Sequence, residues 1–480
     1  MTVTTPKRSA RPFGFRDKIG YMFGDFGNDF TFLLQAMFFT LFYTNVVGIQ
    51  AAHVGTLLLV ARIVDGFTDV GMGILIDRLP LKPGSDKFRR WIKLIAIPVT
   101  VASALMYMSF VADFNSYGMK IVWMCATYFL WGSLCYTAIN IPYGSMASVI
   151  SDNPDDRAQL SVWRSTGGTL AQLIIMSVLP LIVFVTNEAG VSVMSGPRMT
   201  YAAIVCSILA VVCYTICYKL STERITAAES SSNPVSIGTM LKTVLTNRAL
   251  LGLIAAALLL LVASLFLGQM VSYLFLNWFG NGKIVSAANM AGLIPALSLI
   301  ILAPLAAKRF GKAEVGATAM FVGGAILIVM WVAKIQNASV WIVGYALAMF
   351  CISTFNYLVW AFITDVIDYQ EVRTGNRDDA TVYSVYSWAR KLGQALAGGL
   401  TGFALTGIGY DSVIATKGLE QSESVVNSIY TLANLVPGIG CVLVALALMF
   451  LYPLKRNAVA KNVEFLRAKR AGTESHSIEN

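Results

Sequence analysis

The chain has 480 residues, of which 56% are apolar and only 13% are charged, whereas about 25% of the residues in a soluble globular domain are charged. This composition excludes an ordinary soluble protein and indicates an all-α, polytopic membrane protein. The formal net charge is +10. Because the basic residues are spread over many short loops, we expect no binding of nucleic acid.

Long apolar runs recur from residue 21 to residue 453, and each is close to the roughly 20 residues that a membrane-spanning helix needs. We therefore predict twelve transmembrane helices. The predicted spans are 21–48, 54–76, 92–112, 119–145, 160–186, 200–219, 249–279, 286–307, 314–334, 339–364, 382–408 and 428–453.

Lys and Arg are distributed unevenly between the two sides of these spans. One side carries basic clusters within residues 7–18, 78–93, 308–312, 373–391 and 455–470. The opposite side holds scattered basic residues, namely Lys120, Arg198, Lys283, Lys334 and Lys417. Because positive residues near span ends stay cytoplasmic, both termini are predicted to be cytoplasmic, in a multi-pass protein of the cytoplasmic membrane.

The first apolar run lacks a small-residue cleavage pattern, so we expect no cleaved signal peptide. All seven cysteines lie in apolar runs and none form CxxC pairs. This pattern favours small core residues over a metal or redox site. We therefore expect neither a bound metal nor a cofactor.

Carboxylates lie inside the first two spans. Asp29 is about nine residues into the first span, and at about 1.5 Å per residue it is well below the lipid headgroups. In the second span, Asp65 and Asp69 are four residues apart and Arg62 is three before Asp65, so all three share one helix face. An uncompensated charge near the bilayer centre costs roughly 3 kcal/mol. These residues therefore indicate partners or an aqueous cavity.

The second span offers the ligands of a small cation. Thr68 lies between the two aspartates, and Thr137 of the fourth span can add a hydroxyl. Carboxylate and hydroxyl oxygens suit a hard monovalent cation, and a closely spaced carboxylate pair can instead hold a proton. The alternative is a structural Arg62–Asp65 pair, which leaves Asp69 unexplained. Asp29 likewise either contacts a solute or bonds to a neighbouring helix.

The fourth, fifth and eleventh spans add candidates for binding a polar solute. Asn140 and Tyr143 offer hydrogen bonds and a stacking surface, or are ordinary packing residues. Arg164 and Lys391 enter from corresponding places in the two halves of the chain and could hold a solute between them. Arg164 could instead extend to the cytoplasmic surface.

The longest polar break is 221–248, where Ser, Asn and Pro indicate a linker. It separates a six-helix half at 1–220 from a second half at 249–453, which is followed by a cytoplasmic tail at 454–480. The halves are similar: NPDDRAQLSVWRSTGG leads into the fifth span and NRDDATVYSVYSWARKLGQ into the eleventh. Parallel six-span repeats are typical of the major facilitator architecture, in which substrate binds between the halves.

The tenth span ends in ITDVIDYQEVRTGNRDD. We expect Asp365 and Asp368 to form gating or loop ion pairs with Arg373, Arg377 or the loop near Arg89, rather than to bind substrate.

Several motifs in order, YMFGDFGNDF, GTLLLVARIVDGFTDVGMGILIDR, NIPYGSM, RAQLSVWR, DVIDYQEVRTGNRDD and ARKLGQALAG, resemble the glycoside–pentoside–hexuronide:cation symporters. This is the melibiose permease group of the major facilitator superfamily. The resemblance runs over nearly the whole chain. It implies a cation-coupled importer of sugars or glycosides by alternating access.

The resemblance assigns roles to residues at matching positions. Asp29 resembles the sugar-binding aspartate of the family, Arg164 its sugar-site arginine and Lys391 the lysine of its eleventh span. Asn140 and Gly144 stand where the melibiose permease has an Asp and a Trp, so melibiose itself is not the expected substrate.

The cation site is assigned in the same way. Asp65 and Asp69 resemble the cation-site carboxylates of the family, and Thr137 resembles its hydroxyl ligand. Thr68 stands where the melibiose permease has an Asn. A hydroxyl reaches less far than an amide oxygen, so we favour H⁺ over Na⁺ as the coupling ion.

Other functions fit less well. A membrane-embedded enzyme would need catalytic groups, yet the chain has only two histidines, His53 in an outer loop and His476 in the tail. An exporter of a small polar metabolite or drug is the closer alternative, and a sensor that binds sugar without moving it is a third. We expect sugar, cation and lipid bilayer as partners, without an obligate protein partner.

Overall fold

The computed structural model describes residues 11–79, 86–151, 153–224, 247–374 and 379–470. These residues are almost entirely helical. A short antiparallel ribbon, β1 (Phe184–Thr186) and β2 (Ser192–Met194), pairs Phe184 with Met194.

The first eight helices are α1 (Phe15–Phe42), α2 (Ala51–Arg78), α3 (Arg89–Leu105), α4 (Tyr117–Phe129), α5 (Thr137–Ile150), α6 (Pro154–Val183), α7 (Gly196–Leu220) and α8 (Arg248–Asn277). The next eight are α9 (Val285–Leu297), α10 (Leu299–Phe310), α11 (Lys312–Ala333), α12 (Ala338–Thr374), α13 (Asp379–Gly407), α14 (Ser412–Thr416), α15 (Glu423–Leu446) and α16 (Arg456–Arg470).

Short π-helical turns extend three of these helices. They are Tyr43–Val47 after α1, Leu130–Tyr136 between α4 and α5, and Ala447–Leu451 after α15. Because α4 runs through such a turn into α5, the two form one long helical segment.

Nine helical segments in the described part of the chain are long and apolar enough to cross a membrane, or ten if the pair bent by 54° between α9 and α10 is counted as one span. The count confirms a multi-span helical membrane protein. The other two predicted spans lie on α2 and α13, helices of 28 and 29 residues that carry several charged residues each.

The chain forms two compact units. Unit 1 comprises Met1–Asn233, Gly280–Ser286 and Gly402–Ser422, and unit 2 comprises Pro234–Phe279, Ala287–Thr401 and Glu423–Asn480. The predicted linker falls largely within 225–246, outside the described residues.

In unit 1, α1 packs against α6 and α7 through small residues. A Cβ added at Gly24 would collide with Cε2 of Tyr143. That ring stacks on Tyr21 with 4.7 Å between centroids, and its hydroxyl donates to the Tyr21 carbonyl at 2.7 Å. The missing side chain therefore lets α5 approach α1 closely.

A buried carboxylate holds the polar end of unit 1 together. Asp17 is fully buried, and it pairs with Arg11 at 2.9 Å and Arg224 at 2.8 Å. Arg224 also donates to the carbonyl of Ile150 at 2.9 Å. The start of α1, the end of α5 and the segment after α7 are thereby joined at one point.

Glu223 makes a second connection at the same end. Its carboxylate accepts hydrogen bonds from the backbone N–H groups of Lys87, Phe88 and Arg89 at 2.6–2.9 Å. Arg89 begins α3, so Glu223 satisfies N–H groups that have no partner within that helix. Burial raises the pKa of the Glu223 carboxyl, and these backbone donors act in the opposite direction.

Two segments from the second half of the sequence also belong to unit 1. The Gly282 N–H donates to Ser192 Oγ at 2.9 Å, and the Tyr410 hydroxyl donates to Asn45 Oδ1 at 2.8 Å. Asn187 donates to the Gly418 carbonyl at 3.1 Å. Polar contacts therefore hold both segments on the first-half helices.

Unit 2 is built mainly from α8, α11, α12 and α15. Two of its buried polar groups are paired across helices: Trp341 donates from Nε1 to Asn434 Oδ1 at 3.0 Å, and the Tyr430 hydroxyl donates to the Met330 carbonyl at 2.6 Å. Both pairs stabilise the unit, because an unsatisfied polar group in an apolar interior is costly.

We predict that Gly24→Ala lowers the stability of the folded protein, because its methyl group would collide with the stacked Tyr143 ring. Overpacking of this kind costs about 1–3 kcal/mol. The midpoint of thermal unfolding in detergent, followed by tryptophan fluorescence, measures the effect. Gly73→Ala on α2 is the control, since a Cβ there meets no atom within 4 Å. Equal midpoints for the two variants would contradict the packing argument.

Candidate substrate and cation sites

Two clusters of charged side chains lie within unit 1, and the first joins α1 to α6. Arg164 Nε lies 2.9 Å from Asp25 Oδ1, with 39% and 15% of the two side chains exposed. The Arg164 guanidinium also lies over the Tyr143 ring, 5.2 Å from its centroid. Arg164 is therefore fixed inside the helix bundle by an aspartate and an aromatic ring.

Asp25 is a site residue that the sequence analysis missed. It stands four residues before Asp29 in GDFGNDF, so both carboxylates share one face of α1. The four-residue spacing equals that between Asp65 and Asp69, so the sequence could have identified Asp25 as a site residue.

Asp29 completes the first cluster. A Cβ placed on Gly168 would lie 2.8 Å from Asp29 Oδ2 and 3.1 Å from Asp25 Oδ2. Gly168 is one helical turn after Arg164, so the absence of its side chain gives both carboxylates room against α6. Asp29 is half-buried and accepts no hydrogen bond from the residues that the structure describes. It is therefore able to accept hydrogen bonds from a solute.

Asn140 and Tyr143 are both engaged with protein groups. Asn28 Nδ2 donates to Asn140 Oδ1 at 3.4 Å, while Asn28 Oδ1 accepts from the Tyr214 hydroxyl at 2.9 Å. The Tyr143 hydroxyl donates to the Tyr21 carbonyl, and the residue is 1% exposed. Their contact with a substrate stays a prediction, and the geometry also gives both residues a part in helix packing.

The second cluster, called the α2 cluster below, joins α2 to the π-helical turn and the start of α5. Asp65 Oδ1 accepts from the Ser133 hydroxyl at 2.6 Å, and Asp69 Oδ1 accepts from the Thr137 hydroxyl at 2.9 Å. Two carboxylates four residues apart thus face two hydroxyls four residues apart. Ser133 was missed from the sequence, although its spacing from Thr137 matches that of the aspartates.

The π-helical turn Leu130–Tyr136 contains Ser133 and directly precedes Thr137. A π-helical turn shifts the direction of the side chains that follow it, and such turns are frequent at functional sites. Here the turn itself carries Ser133, and Thr137 is the first residue of α5 after it.

Arg62 and Thr68 complete the α2 cluster. Arg62 Nη1 lies 3.4 Å from Asp65 Oδ2, and its guanidinium lies over Phe32 of α1, 5.7 Å from the ring centroid. The structure thus forms the Arg62–Asp65 pair, while the other oxygen of Asp65 faces Ser133. The Thr68 hydroxyl donates to the Asp65 carbonyl at 3.2 Å.

The remaining predicted residues belong to unit 2. Asp365 pairs with Lys312 at 2.7 Å, so its observed partner is not one of the expected arginines. Lys312 begins α11 beside α12, whereas Arg373 is eight residues further along α12, about 12 Å away along the helix. Arg373 instead lies over Tyr369, 5.6 Å from the ring centroid.

Of the expected arginines, Arg89 pairs with Asp86 at 2.9 Å, and Arg377 lies outside the described residues. Lys391 is on α13, and its side chain is outside the described part of the chain. The roles of Lys391 and Asp368 stay predictions.

The fold and these clusters define a transporter of the major facilitator class. The chain matches the MFS/sugar transport protein family over residues 20–456 and therefore belongs to that family. It is a multi-pass transporter of the cell membrane and not an enzyme. The predicted membership of the glycoside–pentoside–hexuronide:cation symporter group is confirmed.

Relatives match over most of the length of the chain. The Uncharacterized symporter YjmB of Bacillus subtilis (strain 168) is 30% identical over 472 residues, 98% of each chain. The Glucuronide carrier protein homolog of Escherichia coli (strain K12) is 31% identical over 451 residues, 92% of each chain. A Salmonella typhimurium protein named as a proposed exporter of 2,3-dihydroxypropane-1-sulfonate is 29% identical over 490 residues, 98% of this chain and 99% of its own.

The fold is similar to that of a solved D-xylose-proton symporter, with a TM-score of 0.61 at 11% identity. The comparison covers 92% of this chain and 98% of that one.

We predict that Gly168→Ala weakens binding of the transported solute, because the new methyl group would displace the carboxylates of Asp29 and Asp25. Displacing a group that binds the solute should raise the half-saturation concentration by about tenfold or more. The half-saturation concentration for exchange of a labelled sugar across proteoliposomes measures the loss. Gly66→Ala, whose Cβ meets no atom within 4 Å, is the control. If the half-saturation concentration of Gly168→Ala were unchanged, the close packing of α6 against the two carboxylates would have no role in solute binding.

Proposed function

We propose that the chain imports a sugar or glycoside together with a monovalent cation, by alternating access. The observation that carries this proposal is the pairing of Asp65 and Asp69 with the hydroxyls of Ser133 and Thr137, beside a separate carboxylate–guanidinium cluster. One cluster supplies oxygen ligands for a cation. The other supplies charged hydrogen-bonding groups for a polar solute.

The α2 cluster is chemically suited to a small cation. Its carboxylates and hydroxyls are hard oxygen donors, and its two acidic side chains can alternatively hold a proton. Arg62 neutralises part of the negative charge at Asp65. A bound cation or proton would neutralise more of this charge, so the electrostatics of the site favour binding of a positive ion.

The α1–α6 cluster is suited to a sugar. Sugar hydroxyls both donate and accept hydrogen bonds, so carboxylate oxygens of Asp25 and Asp29 and the N–H groups of Arg164 complement them. Hydrogen bonds to charged groups are worth about 1.5–3 kcal/mol each in a desolvated site. The partial exposure of Asp25 and Arg164 leaves them accessible to a solute.

Contacts on α1 can connect the two sites. Phe32 is three residues after Asp29, and its ring contacts both Arg62 and Tyr136, with 5.9 Å between the aromatic centroids. Tyr136 directly precedes Thr137. A change of charge near Asp65 can therefore alter the packing of the helix that carries Asp29, which is a physical route for coupling.

We further propose that α2 and α13 cross the membrane, which gives twelve spans with both termini in the cytoplasm. Charged residues on these helices would then face the protein interior, as expected for charges within a membrane. The distribution of Lys and Arg along the sequence supports this orientation.

The direction of transport has one alternative, because a relative is named as a proposed exporter. The name of another relative, a symporter, and the cation-type ligands of the α2 cluster favour coupled import. Accumulation in energised vesicles of known orientation distinguishes the two.

We predict that Asp65→Asn and Asp69→Asn each abolish accumulation of sugar against its gradient, because each variant loses a negative charge that binds the coupling ion. Exchange of sugar at equal concentrations should survive in part, since it needs no net ion movement. Uptake and exchange in proteoliposomes report the two activities separately. Glu420→Gln, an equal charge change at an exposed position, is the control. Normal accumulation by both aspartate variants would refute the cation site.

We favour H⁺ as the coupling ion, because Thr68 provides a short hydroxyl that already donates to its own helix. Uptake should then respond to an inward pH gradient without sodium and be collapsed by a protonophore. Separate pH and sodium gradients across proteoliposomes test this. Uptake that requires millimolar sodium and ignores the pH gradient would show that sodium drives transport.

A further inference from the structure

We infer that the α1–α6 cluster selects uncharged sugars or glycosides and disfavours solutes that carry a carboxylate or sulfonate. This inference rests on the proposed function, because it concerns the substrate class of the same site. It is not implied by family membership, since relatives are named for a glucuronide and for a sulfonate.

The first step is the charge of Arg164. A site for an anionic sugar needs a cation whose charge is available to the ligand. Arg164 is already neutralised by Asp25, with 2.9 Å between Nε and Oδ1. The pair as a whole has no net charge, although the remaining N–H groups of the guanidinium can still donate to a neutral hydroxyl.

The second step is the charge of Asp29. Its Oδ2 and that of Asp25 approach the same point of α6, at 2.8 and 3.1 Å from a Cβ built on Gly168. Asp29 accepts no hydrogen bond from the described residues. The cluster therefore contains two carboxylates and one guanidinium, with a formal charge of −1, or zero if Asp29 binds a proton. In neither case does it attract an anion.

Arg62 does not change this balance. It lies 3.4 Å from Asp65 and is held over Phe32, so its charge is offset by the Asp65 carboxylate. At the α1–α6 cluster, an acidic solute would thus meet either a net negative charge or no net charge, and like charges at short range disfavour binding strongly. A hydroxymethyl group in place of the acid would donate hydrogen bonds to Asp29 instead.

The test uses sugar pairs that differ only at C6: methyl β-D-glucoside and methyl β-D-glucuronide, and the corresponding galactose pair. Each labelled probe is exchanged across proteoliposomes that contain the full chain at pH 7. We expect the neutral member to have a half-saturation concentration lower by about tenfold or more. An equal or lower value for the uronide would overturn the inference while leaving sugar transport intact. Absence of exchange for every sugar would instead refute the proposed function, and this inference with it.

Two variants test the charge argument. Asp25→Asn frees Arg164, and Asp29→Asn removes the carboxylate that accepts no hydrogen bond from the described residues. Each variant should therefore lower the half-saturation concentration for the uronide, relative to that for the glucoside, by about tenfold. Asp113→Asn, an equal charge change at an exposed position between α3 and α4, should leave the ratio unchanged. If a variant no longer exchanges sugar, the rise in its unfolding midpoint with each probe gives the same ratio. A wild-type ratio in both cluster variants would refute the charge argument.

Discussion

Charge within an apolar helix bundle is the constraint on which the rest of this structure depends. A charged side chain near the centre of a bilayer costs roughly 3 kcal/mol or more unless it meets a partner or water. Asp25 meets Arg164, Asp65 meets Ser133 and Arg62, and Asp365 meets Lys312. Asp29 is half-buried in α1 and accepts no hydrogen bond from the described residues, which is why we propose that it binds the transported solute.

These pairs depend on helices that approach one another closely. Gly24 admits the Tyr143 ring, and Gly168 admits two carboxylates to the surface of α6. In a membrane, small residues at helix contacts replace the hydrophobic driving force that is missing between apolar helices. The same glycines that stabilise the bundle therefore also set the positions of the charged groups.

In the proposed mechanism, the two clusters separate the two tasks that a symporter must connect. Asp65 and Asp69 can change their net charge by binding an ion, whereas the Asp25–Arg164 pair is internally neutral and can recognise a solute through hydrogen bonds. Phe32 contacts Arg62 from the helix that carries Asp29. Family membership fixes the scaffold and the class of transport, and we propose that the balance of charge around Arg164 selects among the solutes of that class.

The sequence by itself determined the membrane class, the family and the two aspartates of α2. A charge inside an apolar run and a four-residue spacing can be read without knowledge of other helices. Nine or ten of the twelve predicted spans meet the length and hydropathy expected of a spanning helix among the described residues, and the other two lie on the charged helices α2 and α13. Thr137 was proposed from the same kind of pattern, and the structure brings its hydroxyl to Asp69.

Only the tertiary structure decided which groups meet across helices. Ser133 lies in the π-helical turn before α5 and faces Asp65. Asp25 faces Arg164 because Gly168 lets α6 approach α1. Lys312 rather than an expected arginine pairs with Asp365, since α11 begins beside α12. Periodicity along one helix gives the face on which a side chain lies. The residue opposite depends on the register and distance between helices that are far apart in sequence, and packing sets both.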